Sequence, residues 1–433
     1  MSEVLSVAAL IISLLLMLAG GVWVGVTLLG VGALAMMLFT SRPFGDAMAT
    51  AVWSSTSGWS LVSLPLFIWM GEILFRTRLS EDLFAGLSPL LRRLPGGLLH
   101  VNIAGCASFS AISGSSAATL TTVGKISVPE LEKRDYPDFM TYGTLAGAGT
   151  LGLLIPPSIV MIVYGVAVQE SIADLFIAGI VPGLLLTLMF GVYIFLWGMF
   201  TEQGKRLRER PASLREKLEG IRKLFPLVLL VGVVIGSIYL GIASPTEAAV
   251  LGVLGSLGLA VWQRKLSWQV LVASLEGAVR TSAMIALLLA GSAFLTLGIG
   301  FSGIPNMVVA WISTLDISVI GLIFSLVAFY IVLGCFLDGI SSIVLTMVVV
   351  EPIARHAGID MIWFGIFVVF VAEMAMITPP VGFNLFLVQN LTGKDLGFIA
   401  KAALPMFLIM FLCLCILIFF PDIALWLPSH IRG

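Results

Sequence analysis

Residues 149–159 read Gly-Thr-Leu-Gly-Leu-Leu-Ile-Pro-Pro-Ser-Ile, and residues 377–386 read Ile-Thr-Pro-Pro-Val-Gly-Phe-Asn-Leu-Phe. Each puts two consecutive prolines inside an apolar segment. Proline removes a backbone donor and its ring clashes with the preceding turn, so Pro-Pro interrupts a helix. In hydrocarbon, the carbonyls and amides freed by such a break are costly unless they line a protein cavity or meet a ligand. A single proline kink is common in membrane helices and usually structural. A duplicated Pro-Pro at matched positions in two parts of one chain points instead to function.

The surroundings of the two breaks match. Pro129 precedes Pro156 by the same number of residues that separate Pro352 from Pro379. At that offset Ser115 aligns with Asp338 and Thr119 with Ser342. Upstream of each break lies an apolar region, Pro95–Pro129 or Ile317–Pro352, that is too long for one span and broken near its centre. The first centre reads Ser-Phe-Ser-Ala-Ile-Ser-Gly-Ser-Ser-Ala-Ala-Thr over 108–119; the second reads Gly-Cys-Phe-Leu-Asp-Gly-Ile-Ser-Ser over 334–342.

With 59% hydrophobic and 11% charged residues over 433, the chain lacks the polar surface a soluble protein of this length needs. Spans are expected near Val4–Leu18, Val22–Phe39, Val52–Phe75, Tyr136–Val168, Ile172–Phe200, Leu224–Leu240, Ala248–Trp262, Gly277–Ile299, Trp363–Val388 and Leu396–Phe420. No basic n-region or small-residue cleavage site accompanies the first, so it is read as a span rather than a signal peptide. If both broken regions enter and leave on one side, 20 of the 23 basic residues fall on a single face, leaving Arg42, Arg355 and Arg432 opposite. Basic residues mark the cytoplasmic side, which puts both termini outside. A plain crossing at either region would destroy this partition.

The expected fold is therefore an all-α polytopic membrane protein with an inverted-topology repeat, two re-entrant helical hairpins and two Pro-Pro-broken helices. The first repeat spans 1–201, with hairpin 95–130 and broken helix 136–168. A basic cytoplasmic connector spans 202–223, read as a topogenic loop on lipid headgroups. The second repeat spans 224–433, with hairpin 317–354 and broken helix 360–390.

Serine and threonine hydroxyls and bare carbonyls are hard oxygen ligands suited to an alkali cation. The amino end of the second half-helix of the first hairpin, near Ser115 and Ser116, favours a carboxylate; small residues there also suit plain helix packing. An ionised Asp338 inside the membrane would cost roughly 2.5–3.5 kcal/mol on insertion scales. It is expected either to belong to a sodium site or to cap the free amides of its tip. Glu373 and Glu72 are weaker candidates, and either is open to pairing with a basic residue. Cys106, Cys335, Cys413 and Cys415 form no C-x-x-C pair, and His100, His356 and His430 share no helix face, so a zinc site or disulfide framework is not expected. No paired nucleophile and base, no H-E-x-x-H and no facing aspartates argue for an enzyme.

At these residues the chain resembles the large membrane subunit of tripartite ATP-independent periplasmic (TRAP) transporters. The likeness rests on Ile112-Ser-Gly-Ser-Ser-Ala-Ala-Thr119, Gly149 to Ile159, Leu175-Phe-Ile-Ala-Gly-Ile-Val-Pro-Gly183, Ile377 to Phe386, and Gly334 to Asp338. Lys125, Asp135 and Glu72 depart from the usual pattern of that family. The resemblance implies a sodium-coupled importer of organic acids in the bacterial inner membrane, working as an elevator. It implies two partners, a small four-helix membrane subunit and a periplasmic substrate-binding protein, with no cofactor beyond the coupling ions. Sodium is expected at Ser113, Gly114, Ser115, Gly149, Thr150 and Gly152, and at Asp338, Gly339, Ser341, Ser342, Thr378, Pro379 and Gly382. Substrate is expected at Ser113, Ser115, Ser116, Thr119, Pro156 and Asn384. A binding-protein-independent sodium/dicarboxylate symporter of similar architecture is the alternative.

Overall fold

A computed structural model describes residues 3–207, 210–315 and 317–431. Arg208 and Glu209 of the connector, and Arg432 with the extreme termini, lie outside the described residues.

Among these the chain is helical throughout. The first half runs through α1 (Glu3–Ala19), α2 (Val24–Phe39), α3 (Phe44–Thr56), a 3-10 turn (Trp59–Val62), α4 (Ser63–Phe75) and α5 (Leu79–Leu91). It continues as α6 (Leu99–Ser113), α7 (Ser116–Glu132), α8 (Asp138–Gly149), the single turn α9 (Leu151–Leu154), α10 (Ile159–Val168), α11 (Ile172–Phe200) and α12 (Glu202–Arg206). The second half is α13 (Leu214–Tyr239), α14 (Pro245–Trp262), α15 (Trp268–Gly300), α16 (Ile304–Thr314), α17 (Val319–Gly334), α18 (Gly339–His356), α19 (Met361–Ala375), α20 (Phe383–Thr392), α21 (Leu396–Phe419) and α22 (Asp422–Ile431). α7 starts 223 residues before α18, and α8 starts 223 before α19; α10 and α11 precede α20 and α21 by 224. The recurrence extends to the backbone: Pro156-Pro157 and Pro379-Pro380 are both cis.

Local chemistry sets the helix starts. Ser115, Ser158 and Ser171 cap α7, α10 and α11 with their hydroxyls, while Asp338, Asp360 and Asp395 cap α18, α19 and α21. Each such cap satisfies a backbone donor left over at the helix start and is worth about 1 kcal/mol. α8–α9 and α10 meet at 41° across the first Pro-Pro.

Three boundaries differ from the sequence expectation. The span expected at Val52–Phe75 is two helices, α3 and α4, meeting at 58° around Gly58 and the 3-10 turn. The span expected at Gly277–Ile299 starts at Trp268, with Ser267 as its cap. The connector is largely helix rather than loop. α13 starts at Leu214 because Ser213 and Glu216 form a reciprocal capping box and Arg215 pairs with Glu219 one turn on, 3.1 Å apart. Six helices are long and apolar enough to cross a membrane, or eight when each bent pair counts as one span, among the described residues.

Two groups of helices face each other. α2, α3, α4, α14 and α15 pack together, with Trp69 Nε1 donating to Ser274 Oγ at 3.1 Å and the Glu72–Arg76 pair reaching the Ala273 carbonyl through Arg76 Nη2 at 3.1 Å. Glu72 is thus engaged in holding α4 to α15. The hairpins α6–α7 and α17–α18 pack with α8–α11 and α19–α21. Within that second group the halves are joined by polar ties. Tyr164 Oη donates to Met361 O at 2.7 Å, Lys394 pairs with Asp138 at 2.7 Å, and Arg355 pairs with Glu170 at 3.3 Å. Tyr164 is fully buried. Tyr164→Phe is therefore expected to cost about 0.5–1.5 kcal/mol, seen as a lower melting temperature in detergent.

Candidate functional site

The first hairpin turns at Gly114, which adopts a left-handed conformation with φ of +56°. A side chain there is doubly opposed: the conformation disfavours it, and a Cβ would sit 2.7 Å from the Pro157 carbonyl oxygen. The tip is thereby pressed onto the first helix break. Ile159 N donates to Gly114 O at 3.3 Å. Gly152 approaches just as closely, since a Cβ on it would lie 2.5 Å from Ser116 Cα and 2.6 Å from Ser116 N. At the tip Ser113 Oγ and Thr119 Oγ1 are 2.7 Å apart, and Ser113 Oγ reaches Ser115 O and Ser115 N, each at 3.3 Å. Ser113, Gly114, Ser115, Ser116, Thr119, Gly152 and Pro156 thus form one neighbourhood. Thr150 turns away, donating to Gly147 O at 2.6 Å and lying 3.5 Å from Met410 Sδ. Gly149 packs on the Leu120 side chain.

The second tip meets the second break through Cys335, whose Sγ lies 3.3 Å from Pro379 O and 3.9 Å from Thr378 O. Asp338 is exposed, and its Oδ2 accepts from Ile340 N at 3.2 Å and Ser341 N at 3.3 Å. That contact is the cap, one of its two expected roles. Gly339, Ser341 and Ser342 are buried behind it, whereas Pro379 is exposed and Gly382 takes a left-handed φ of +50°.

The two neighbourhoods touch. Gly339 faces Leu153 and Ala372, and Ser116 Oγ donates to Glu373 Oε1. Glu373, weak by sequence, is the residue the sequence reading most undervalued. Its position six residues ahead of the break was visible, but its contact with the opposite half was not. It occupies the amino end of α7, where an anion was expected, with a carboxylate of the protein itself.

Buried polar groups normally find partners, so exceptions call for an explanation. Asn384 is 0% exposed, and neither its Oδ1 nor its Nδ2 has a partner; Ser342 Oγ and Glu373 Oε2 are also buried and unpaired. The oxygens among them, like the hydroxyls and carbonyls at the first tip, are hard donors of the kind that fit a small alkali cation. Among the described residues no three His, Cys, Asp or Glu side chains converge, so the donor set is not that of a transition-metal centre.

A cavity of about 510 Å³ opens elsewhere, between the α3–α4 bend and α15 on one side and α10 and α18 on the other. Ser54, Ser55, Ser60, Gln169, Glu170, Ser292, Thr296 and Glu351 supply its polar lining, and none of the expected site residues line it. Ser292 Oγ donates to Val344 O at 2.8 Å, which ties the two helix groups together beside this cavity.

The sequence matches the family described as tripartite ATP-independent periplasmic transporter, DctM component, over residues 11–423. It is 32% identical over 400 residues to the C4-dicarboxylate TRAP transporter large permease protein of Pseudomonas aeruginosa, covering 92% of each chain. It is 30% identical to the protein of the same description in Vibrio cholerae, covering 99% of each. It is 31% identical to the ectoine/5-hydroxyectoine TRAP transporter large permease protein of Ruegeria pomeroyi, covering 90% of this chain and 91% of that one. The fold is similar to that of the YdaH transporter of Alcanivorax borkumensis, with a TM-score of 0.65, 15% identity, and 96% and 98% of the two chains covered.

Gly152→Ala sets a methyl against backbone, which no side-chain rotation relieves. It is expected to cost about 1–3 kcal/mol, whereas Gly191→Ala, with nothing within 4 Å, should stay within about 0.5 kcal/mol. Parallel thermal melts of the two variants check this.

Proposed function

This chain belongs to the DctM-component family of tripartite ATP-independent periplasmic transporters, and from that membership we propose that it imports an organic acid using sodium as the coupling ion. It is a large membrane subunit of that transporter class, a multi-pass, all-helical permease. In the proposed arrangement residues 1–201 and 224–433 are repeats of opposite orientation in a bacterial inner membrane. The stretch 202–223 lies on the cytoplasmic side, and both termini are periplasmic. Hairpin 95–130 enters from the cytoplasm and hairpin 317–354 from outside, each facing its own broken helix.

The observation that carries this reading is the closure of the first tip on the first break. Gly114 O, Ser113 Oγ, Ser115 O and Thr119 Oγ1 gather where the proline pair ends one helix and Ser158 starts the next. Oxygens converging at a helix discontinuity are what an alkali cation needs when it leaves water. Ser342, Thr378 and Pro379 offer the equivalent set in the second half. The solute is a carboxylate held between the tips, with Ser115, Thr119 and Asn384 within the same region. Ser116 is engaged by Glu373 and is the least available of the residues expected to hold substrate.

The energetics suit sodium as the driver, since each net positive charge carried inward gains about 2.3 kcal/mol per 100 mV. The transport step is an elevator movement. The hairpins, α8–α11 and α19–α21 move as one body against α2–α4, α14 and α15, and the Ser292–Val344 contact breaks and reforms. A small membrane subunit widens the static body, and a periplasmic binding protein delivers the solute, as the family relationship suggests.

Two measurements test this. In proteoliposomes holding the complete transporter, uptake should require an inward sodium gradient, and uptake unchanged by sodium removal would refute the coupling. Ser113→Ala should raise the sodium concentration for half-maximal uptake by about 3–10-fold, the equivalent of one hydrogen-bond-strength contact. For the topology, cysteines replacing Lys133 and Lys205 should label from the cytoplasmic side and a cysteine replacing Arg42 from the periplasmic side. Any reversal of these sides would break the inverted arrangement.

A further inference from the structure

α19 carries a single acid in a wholly apolar stretch. Glu373 is 1% exposed; it touches the first hairpin, and its neighbour Ala372 faces the second. Oε1 accepts the Ser116 hydroxyl at the start of α7, and the Leu153 backbone lies against the same carboxyl group. A helix amino end and a hydroxyl donor favour a carboxylate over a neutral acid. Oε2 is buried with no side-chain hydrogen-bond partner, the Leu153 backbone is the other donor at the carboxyl group, and no Lys, Arg or His pairs with the side chain among the described residues. Ionised, such an acid is costly inside a membrane protein, and a cation beside Oε2 would offset that cost.

The second hairpin indicates where such a cation would sit. A methyl on Gly339 would lie 3.6 Å from Leu153 Cδ1 and 3.7 Å from Ala372 Cβ, so this face of α18 looks onto Leu153 and the residue before Glu373. Ser342 stands three residues on, on the same face of α18. Its Oγ is also buried and without a hydrogen-bond partner. Asp338, the acid that the sequence favours, is exposed and already engaged in capping α18. We propose that Glu373 supplies the fixed negative charge of a sodium-sized cation site between the two halves, with Ser342 Oγ as a second oxygen ligand. The acid of that site thus comes from the broken helix and not from the hairpin tip. The inference rests on the cation-coupled reading above and deepens it. It makes occupancy of this site a joint property of α7, α18 and α19, so both tips sense one ion.

The test uses the purified full chain in nanodiscs, melted across a sodium chloride series with choline chloride holding ionic strength constant. The wild type should be stabilised saturably by sodium. E373Q keeps the shape and the contact with Ser116 but removes the charge, and should raise the half-saturating sodium concentration about tenfold or more, the loss expected for one charge-assisted contact. If E373Q folds poorly, the equally short pair E373D and E373N gives the comparison; only E373D should retain a sodium response. A sodium response of E373Q equal to that of wild type would overturn the proposal, because a proton or a water would then satisfy Oε2. A wild type stabilised by another monovalent cation but not by sodium, with that response lost in E373Q, would refute sodium coupling and keep the carboxylate site. A wild type indifferent to every monovalent cation would overturn both.

Discussion

Backbone groups freed inside a membrane protein must find partners, and the rest of this architecture is organised around the two places where proline frees them. At the first, Pro156-Pro157 ends α9 and leaves the chain extended through Ser158. The hairpin tip answers from above: Gly114 O takes the amide of Ile159, and the left-handed turn at Gly114 lets α6 end and α7 begin with almost no intervening chain. At the second, the carbonyls of Thr378 and Pro379 face Cys335 at the end of α17. Each hairpin tip thus meets the break opposite it.

The two halves are not separate modules placed side by side. Tyr164 with Met361, Asp138 with Lys394, Glu170 with Arg355, and Ser116 with Glu373 join elements of the first half to elements of the second. These ties bind the hairpins and broken helices into one body. The helices around α15 and α4 carry their own polar ties, through Trp69, Glu72 and Arg76. The side-chain bond from Ser292 to Val344 crosses between the groups next to a polar cavity of about 510 Å³.

Symmetry of plan does not bring symmetry of environment. Pro156 and its tip are buried, whereas Pro379 and Asp338 are exposed. Ser115 and Asp338 occupy matched positions and do the same local work, each capping the second helix of its hairpin. The departure from symmetry is Glu373, whose counterpart position in the first half, Thr150, donates to Gly147 O and contacts Met410 instead of crossing to the other half.

The sequence by itself determined the helix breaks, the hairpins as paired helices, and the correspondence of the two halves. All three follow from local chemistry: proline cannot continue a helix, glycine and serine permit and cap a turn, and apolar length sets helix length. It also marked Ser113, Ser115, Thr119 and Gly152 as neighbours-to-be, because a break and a tip at fixed spacing have few ways to meet. It misjudged the start of α13, where a capping box at Ser213 and Glu216 outweighed the charge of the stretch, and it read one span where α3 and α4 bend around Gly58. The different surroundings of the two acids were set only by tertiary structure. Asp338 stood out because it interrupts an apolar run, and it is exposed and caps α18, while Glu373 is buried against Ser116 and Leu153, which lie far away in sequence. Burial and partnership at a distance are properties of packing, and no local pattern encodes them.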